Sequence, residues 1–316
     1  MTSSPATPIL DGLRAVPGGF GQPTFAGFYA ALVGAALRHA ASGEAPPVLL
    51  VMGEPLAGKS TFLSQLFVRL TGGTRDEGRG DGGIRPHLVR WGDTIRAGKQ
   101  LGVVAPERQF GDLTPKELAG TSALLAQAAQ AAQQAAQGDG PAIVVVEAPG
   151  VTMVTDESGQ QQGLDRGYSL ARDLARRDDG FLMVLCADQR VRDTHLGSRE
   201  ARLASGGPEV REATQLAANR IRQQVTDLLY DLAVAGILDL PDQAPGEPVT
   251  RATLDDDPAY RNEAVLRAYL PYLLEHDLKI GADRAFIGLN SFLGDDVRPD
   301  TALLDAYDWT HRHFGL

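Results

Sequence analysis

The feature that most constrains this chain is the stretch Gly53–Thr61, which reads GEPLAGKST. The apolar, β-branched run Val48–Met52 precedes it and predicts a strand that is buried on both faces. Apolar residues at helical spacing follow it over Phe62–Leu70. A strand, the pattern Gly-x-x-x-x-Gly-Lys-Ser and a helix, in this order, are typical of a phosphate-binding loop, or P-loop.

The residue types of this stretch suit a nucleotide. Gly53 and Gly58 lack a Cβ, so the backbone between them can turn its N–H groups around phosphate oxygens. We expect Lys59 to reach the β- and γ-phosphates and the hydroxyl of Ser60 to bind Mg²⁺. A glycine-rich turn that fits by chance is disfavoured, because the chain has only four lysines. The predicted nucleotide contacts are Gly53, Glu54, Pro55, Leu56, Ala57, Gly58, Lys59, Ser60 and Thr61.

Strand-like and helical patterns alternate along the rest of the chain. Five apolar runs are predicted as strands, and most of them are separated by amphipathic stretches. This alternation predicts an α/β fold, a P-loop NTPase-type parallel sheet of about five strands with helices on both faces and helical insertions. The predicted strands are 48–52, 87–91, 142–147, 181–186 and 285–289.

Three charged residues follow or end predicted strands. Since ligands of parallel sheets bind beyond the carboxyl ends of the strands, Asp93, Arg96 and Glu147 are candidates for the site. An unpaired buried carboxylate is costly, which favours Mg²⁺ contact for Glu147. Asp93 has the alternative of capping the following helix, and Arg96 that of a surface ion pair.

The order of these motifs resembles adenylate kinase and its nucleoside monophosphate kinase relatives. The resemblance rests on Gly53–Thr61, on Gly92-Asp93-x-Ile95-Arg96-Ala97 and on Gly111-x-Leu113-Thr114-Pro115-x-Glu117-Leu118. Ser, Thr, Pro and Gly over 1–22 predict a loose arm, and the apolar spacing that follows predicts a helix, so 1–45 is an N-terminal arm and helix. The resemblance implies a kinase-like domain over 46–316. Within that domain it implies an acceptor-binding subdomain over 86–140 and a lid-like helical insertion over 188–258.

The resemblance also implies roles for single residues. Arg96 matches the arginine that holds the acceptor's phosphate, Glu147 the acid that holds Mg²⁺ through water, and Asp93 an aspartate of the active centre. Val151 occupies the position of a second phosphate-gripping arginine. The candidates for lid arginines are Arg192, Arg199 and Arg202.

A weaker resemblance is to zeta-toxin and antibiotic phosphotransferase-type P-loop kinases. In those enzymes the aspartate matching Asp93 acts as a base on a substrate hydroxyl. That chemistry needs no phosphate clamp, so it is compatible with Val151.

The function predicted from these residues is a kinase that transfers the γ-phosphate of Mg²⁺-ATP to a small nucleotide-like acceptor. Its predicted catalytic residues are Lys59, Asp93, Arg96 and Glu147, with Ser60 and Glu147 at the metal. Two alternatives stay open: transfer to a hydroxyl of a sugar or nucleotide-sugar, and a P-loop ATPase that switches a partner protein. A GTPase is disfavoured, because no Asn-Lys-x-Asp segment occurs.

The composition limits which partners and which cellular location we expect for this protein. The formal net charge of −10 argues against nucleic-acid or anionic-membrane binding. The single cysteine, Cys186, lies in an apolar run and is predicted to be buried. We find no signal peptide or membrane span in the sequence and expect a cytoplasmic protein; its oligomeric state is left open.

Overall fold

The computed structural model describes residues 9–10, 13–15, 24–53, 57–72, 83–108, 113–138, 140–148, 153–155, 161–164, 177–187, 191, 284–290 and 299–316. Several predictions concern residues outside these ranges. They are the loop contacts Glu54, Pro55 and Leu56, the position Val151, and almost all of the lid-like insertion with Arg192, Arg199 and Arg202.

The centre of the fold is a six-stranded sheet in the order β1-β8-β7-β2-β4-β3. The strands are β1 (Arg14–Ala15), β2 (Val48–Gly53), β3 (Arg85–Arg90), β4 (Ala142–Glu147), β7 (Gly180–Ala187) and β8 (Ala285–Asn290). Within this six-stranded sheet, all pairs of neighbouring strands are parallel except β1–β8. The prediction of an α/β fold with about five parallel strands is therefore confirmed.

In the described part of the chain, six helices of six residues or more surround the sheet. They are α1 (Phe25–Ser42), α2 (Lys59–Thr71), α3 (Trp91–Gln100), α4 (Pro115–Ala136), α5 (Thr301–Ala306) and α6 (Trp309–Phe314). Thr114 and Glu117 have the spacing of a capping box, and it is present at the start of α4: the side chain of Thr114 accepts from the N–H of Glu117, and the Glu117 side chain accepts from the N–H of Thr114. None of the described helices is long and apolar enough to cross a bilayer.

One face of the sheet carries the main hydrophobic core. Leu49 and Val51 of β2 are fully buried against α1 and α2, and Phe25 of α1 makes an edge-to-face contact with Phe62 of α2. All six residues of β2 are buried, as expected for a parallel strand covered on both sides. Cys186 is buried in β7, as predicted.

The strand order fixes where a ligand can bind. From β2 the chain runs to β3 and β4 on one side of the sheet, and later to β7 and β8 on the other. The end of β2 is thus a topological switch point, the place where open α/β sheets bind ligands. Gly53, Arg90, Glu147 and Asn290 end four parallel strands at this same edge.

The prediction of a loose N-terminal arm is wrong for the part that the structure describes. Ile9, Leu10 and Leu13 are buried in the core. The backbone N–H groups of Ile9 and Leu10 donate to Oε1 of Gln65 at 3.0 and 3.4 Å. Three apolar side chains among polar and small residues were too weak a pattern to predict this packing.

Three other boundaries differ from the sequence predictions. The apolar spacing over 299–314 predicts a single closing helix, but Tyr307 and Asp308 divide it into α5 and α6 because Asp308 caps the second helix. The sequence over 151–163 predicts a loop, but β5 (Met153–Thr155) and β6 (Gln161–Leu164) pair there as a hairpin. Strand β3 ends at Arg90 rather than Trp91, which is buried as the first residue of α3.

Candidate functional site

The loop that the sequence predicts to bind phosphate, Gly53–Thr61, is called here the phosphate loop, and its two glycines are required for different reasons. A Cβ at Gly53 would lie 2.5 Å from the carbonyl oxygen of Leu185, so the neighbouring strand β7 excludes any side chain there. Gly58 has a φ of +86°, a left-handed conformation that residues with a Cβ rarely adopt. The sheet therefore imposes the first glycine, and the entry into α2 imposes the second.

Helix α2 begins directly after Gly58, which supplies no side-chain cap. The first N–H groups of a helix have no intrahelical partner, so they are available to an anion at this end. The Nζ atom of Lys59 donates to the carbonyl oxygen of Gly53 at 2.7 Å. Lys59 therefore connects the two ends of the loop with its ammonium group at the edge of the sheet.

Asn290, the last residue of β8, also contacts the loop. Its side-chain amide donates to the carbonyl oxygen of Ala57 at 3.3 Å, and the residue is 1% exposed. The sequence analysis missed this residue. Its only signal was an amide side chain at the end of an apolar run.

A second group of charges lies at the ends of β3 and β4 and is called here the Arg90 cluster. Its centre is the guanidinium of Arg90, which lies within 4 Å of four carboxylates. The Nε atom is 3.7 Å from Asp93 and 3.5 Å from Glu147, and Nη1 is 3.4 Å from Asp305 and 3.8 Å from Asp308. Arg90 and Glu147 are register partners on adjacent strands, which explains why their side chains meet.

The C-terminal helices complete the cluster. The N–H of Leu88 donates to the carbonyl oxygen of Tyr307 at 2.9 Å, and the N–H of Arg90 donates to Oγ1 of Thr310 at 2.8 Å. These bonds attach the chain between α5 and α6 to the end of β3. They place Asp308 beside Arg90. Asp308 also caps α6 by accepting from the N–H of His311 at 2.9 Å.

Asp93 and Asp308 form a buried carboxyl pair within the cluster. Their side chains are 6% and 4% exposed. Burial raises the pKa of Asp308 to about 6; the His311 N–H opposes the shift, the hydrogen-bonded carboxyl of Asp93 adds to it, and Arg90 opposes it. Asp308 therefore retains its proton in mildly acidic solution.

The structure brings Asp93 and Glu147 together around Arg90, and Arg96 joins them through Asp93. The Nη1 atom of Arg96 is 2.8 Å from Asp93, while 72% of the arginine side chain is exposed. Arg96 thus forms a surface ion pair, which the sequence left open as the alternative to a role in the site. Most of its side chain still faces solvent. Asp93 is not the cap of α3, because Arg90 is the N-cap and Asp93 lies in the first turn.

Glu147 has a partner that its place at the end of an apolar strand did not predict. Its carboxylate is not an unpaired buried charge: it is 17% exposed and 3.5 Å from Arg90. Sequence reasoning missed Arg90 because a charged residue at a strand end gives no sign of its partners. Asp305 and Asp308 were missed because they lie more than 200 positions from Arg90 in the sequence.

Protein side chains alone do not form a metal site here. In the described part of the chain, no group of three or more His, Cys, Asp or Glu side chains is arranged to hold a metal ion. Mg²⁺ commonly uses one or two protein oxygens together with water and phosphate oxygens. A lone hydroxyl such as Ser60 and a half-buried carboxylate such as Glu147 are chemically compatible with that kind of binding.

Comparison of the sequence with models of known protein families gives no match. A search among curated proteins gives no match either. The residues of the candidate site and their chemistry are therefore the basis for proposing a function.

Proposed function

We propose that this protein is an ATP-dependent phosphotransferase that uses Mg²⁺. The observation that carries the proposal is the loop after β2, where a left-handed Gly58, an uncapped helix start and the Lys59 ammonium lie together at the switch point of the sheet. Backbone donors, a helix N-terminus and a lysine are the groups that hold the β- and γ-phosphates in P-loop enzymes.

The residues present fit Mg²⁺-ATP. The loop offers N–H donors and one ammonium group, and no described residue caps α2 with a side chain. Ser60 would supply a hydroxyl to the metal, and Glu147 would hold it through water. When bound, Mg²⁺ would neutralise charge on the phosphates, which is most of what phosphoryl transfer requires.

The chain's own groups would then act by position and charge. Lys59 would leave the Gly53 carbonyl for the phosphates, because a charged acceptor binds an ammonium group more strongly than a neutral carbonyl does. Glu147 would stay oriented by Arg90, its register partner. A cytoplasmic setting, where ATP and Mg²⁺ are abundant, is part of this proposal.

A nucleotide-like molecule is the first candidate for the acceptor. Arg96 supports it, because a guanidinium that is 72% exposed can bind a phosphate while one nitrogen keeps its bond to Asp93. The acceptor would then lie beside the first turns of α3. Its phosphate would have to compete with the carboxylate of Asp93.

A second candidate is a neutral hydroxyl acceptor, and one observation favours it. Four carboxylates surround Arg90, whereas in the described part of the chain the guanidinium groups that pair with them are those of Arg90 and Arg96. This excess of negative charge would repel a phosphate-bearing acceptor. Asp93 would serve as the base that takes the hydroxyl proton.

Calorimetry with Mg²⁺-ATP tests the proposal. Lys59→Ala should weaken ATP binding about 10- to 100-fold, since it removes one charge-assisted hydrogen bond. Lys99→Ala is the matched control, because Lys99 donates to the carbonyl of Pro106 on an exposed loop. Equal ATP affinity in Lys59→Ala and wild type, or no ATP binding by wild type, would contradict the proposal.

An acceptor screen with radiolabelled ATP separates the candidates. Label on nucleoside monophosphates supports the first, and label on sugars or nucleotide-sugars supports the second. Hydrolysis without transfer to either class would favour the ATPase that switches a partner protein.

A further inference from the structure

The side chain of Asn290 reaches the phosphate loop from a distant part of the chain. Its Nδ2 atom donates to the carbonyl oxygen of Ala57, 233 positions away in sequence. Asn290 ends β8, which is separated from β2 by β7 in the sheet. The amide is 1% exposed, so this hydrogen bond is shielded from water.

The same amide group lies against Gly58. A Cβ built on Gly58 would be 3.0 Å from Nδ2 of Asn290, so the asparagine fills the space beside the left-handed residue. The carbonyl that Asn290 binds and the N–H of Gly58 belong to one peptide plane. In a trans peptide these two groups point in opposite directions.

We propose that Asn290 is a positioning residue that aims the Gly58 N–H at the phosphates of the bound nucleotide. By holding the Ala57 carbonyl on its own side, Asn290 turns the Gly58 N–H to the opposite side of the loop. That N–H would join the first N–H groups of α2, which have no partner within the helix, as one anion-binding set. The inference rests on the proposed function only for the identity of the anion.

Asn290→Leu is the decisive variant. Leucine has the same branched arrangement of side-chain heavy atoms as asparagine, although it is bulkier, and it has no donor; unlike aspartate it adds no negative charge that would itself repel phosphate. Ile287→Val is the matched control, because Ile287 is buried on the same strand and the change removes one methylene. Thermal unfolding of both variants gives their loss of stability separately from binding.

Calorimetry with Mg²⁺-ATP and with Mg²⁺-pyrophosphate measures the effect. Asn290→Leu should weaken both ligands by the same factor, about 10- to 100-fold, as expected for one misdirected donor to an anion. Ile287→Val should bind both like wild type. Wild-type affinity of Asn290→Leu for both ligands would overturn the inference.

A spectroscopic measurement tests the geometry without any ligand. Residual dipolar couplings of the Gly58 N–H report the direction of that bond in the folded protein. The coupling should change in Asn290→Leu and stay as in wild type in Ile287→Val. If wild type binds neither ligand, the proposed function fails while this measurement still decides the inference: a Gly58 coupling unaltered in Asn290→Leu would overturn it.

Discussion

The phosphate loop and the Arg90 cluster lie at the same edge of the sheet but draw on different amounts of the chain. The loop takes its principal groups from one stretch, Gly53–Thr61, and adds Asn290 from β8. The cluster draws Arg90, Asp93 and Glu147 from two strands and a helix, and Asp305 and Asp308 from the C-terminal helices. The first can be recognised as a motif; the second exists only when the chain is folded.

This difference implies a difference in what substitutions do. Lys59 donates to a carbonyl at the end of a strand, at the edge where ligands of such sheets bind, so its loss should affect binding more than folding. Arg90 neutralises carboxylates that are almost fully buried, so its loss should affect folding first. Four predictions test this comparison.

The largest expected effect is on catalysis at Asp93, where the two acceptor candidates disagree. If the acceptor is a hydroxyl, Asp93→Asn should lower kcat about 10²- to 10⁴-fold, the usual contribution of a general base. If it is a nucleotide, Arg96→Ala should mainly raise the acceptor KM, and Asp93→Asn should keep a substantial rate. Asp305→Asn, at the 68% exposed rim of the cluster, is the control. Steady-state kinetics with both acceptor classes measure these effects. A wild-type kcat and KM in both Asp93→Asn and Arg96→Ala would show that neither residue takes part in catalysis.

Arg90→Met should give the largest loss of stability. It leaves Asp308 buried without the Arg90 cation, while Asp93 keeps its ion pair with Arg96, and we expect the free energy of unfolding to fall by about 2–3 kcal/mol, part of the usual cost being relieved by protonation. Arg177→Met is the control, because Arg177 pairs with Asp179 in a more exposed place and should lose about 1 kcal/mol or less. Urea denaturation at neutral pH measures both. An equal loss in the two variants would show that the cluster is no more than a surface network.

Glu147→Gln should reduce turnover more than stability. The change keeps the shape of the side chain but removes the charge assigned to Mg²⁺, so turnover at limiting Mg²⁺ should fall about 10-fold or more. Glu107→Gln, on an exposed turn after α3, is the control. A wild-type dependence of turnover on Mg²⁺ concentration would leave Glu147 with only its ion pair to Arg90.

The smallest effect should come from Asp308→Asn and should appear as a change with pH. The folded state raises the pKa of Asp308 from 3.8 to about 6, so it binds this proton more tightly than the unfolded chain does. The stability contributed by that proton is present below about pH 4 and is lost as the pH rises to about 6. Asparagine removes the titration and still caps α6, since it caps helices as well as aspartate does.

We therefore expect the free energy of unfolding to fall less between pH 4 and pH 7 in Asp308→Asn than in wild type. The difference should be about 1 kcal/mol after allowance for solvent screening. Charges that face Asp308 in the described structure contribute to both curves: Arg90 of β3, Asp93 of α3, and Asp305 beyond Arg90. Asp300→Asn, which alters the cap of α5 in the same way, is the control. Parallel pH curves for Asp308→Asn and wild type would contradict the carboxyl pair.

Much of the fold could be predicted because its signals are local. A continuous apolar run such as Ala142–Val146 specifies a buried strand, and Thr114, Pro115 and Glu117 specify a helix start through bonds within four residues. The strand and helix on either side of Gly53–Thr61 belong to the same class, while phosphate binding by this loop stays a prediction. For these elements the sequence by itself was sufficient.

Only the tertiary structure decided the partners of the charged residues. Arg90 meets Glu147 because parallel pairing puts them in register, and it meets Asp308 because the bonds of Leu88 and Thr310 attach the C-terminal helices to β3. Asn290 reaches Ala57 because β8 joins the sheet beside β7. No periodicity in the sequence predicts the partner of a charged or amide side chain. The interaction energy of such a side chain depends on its burial and on atoms hundreds of positions away in the sequence.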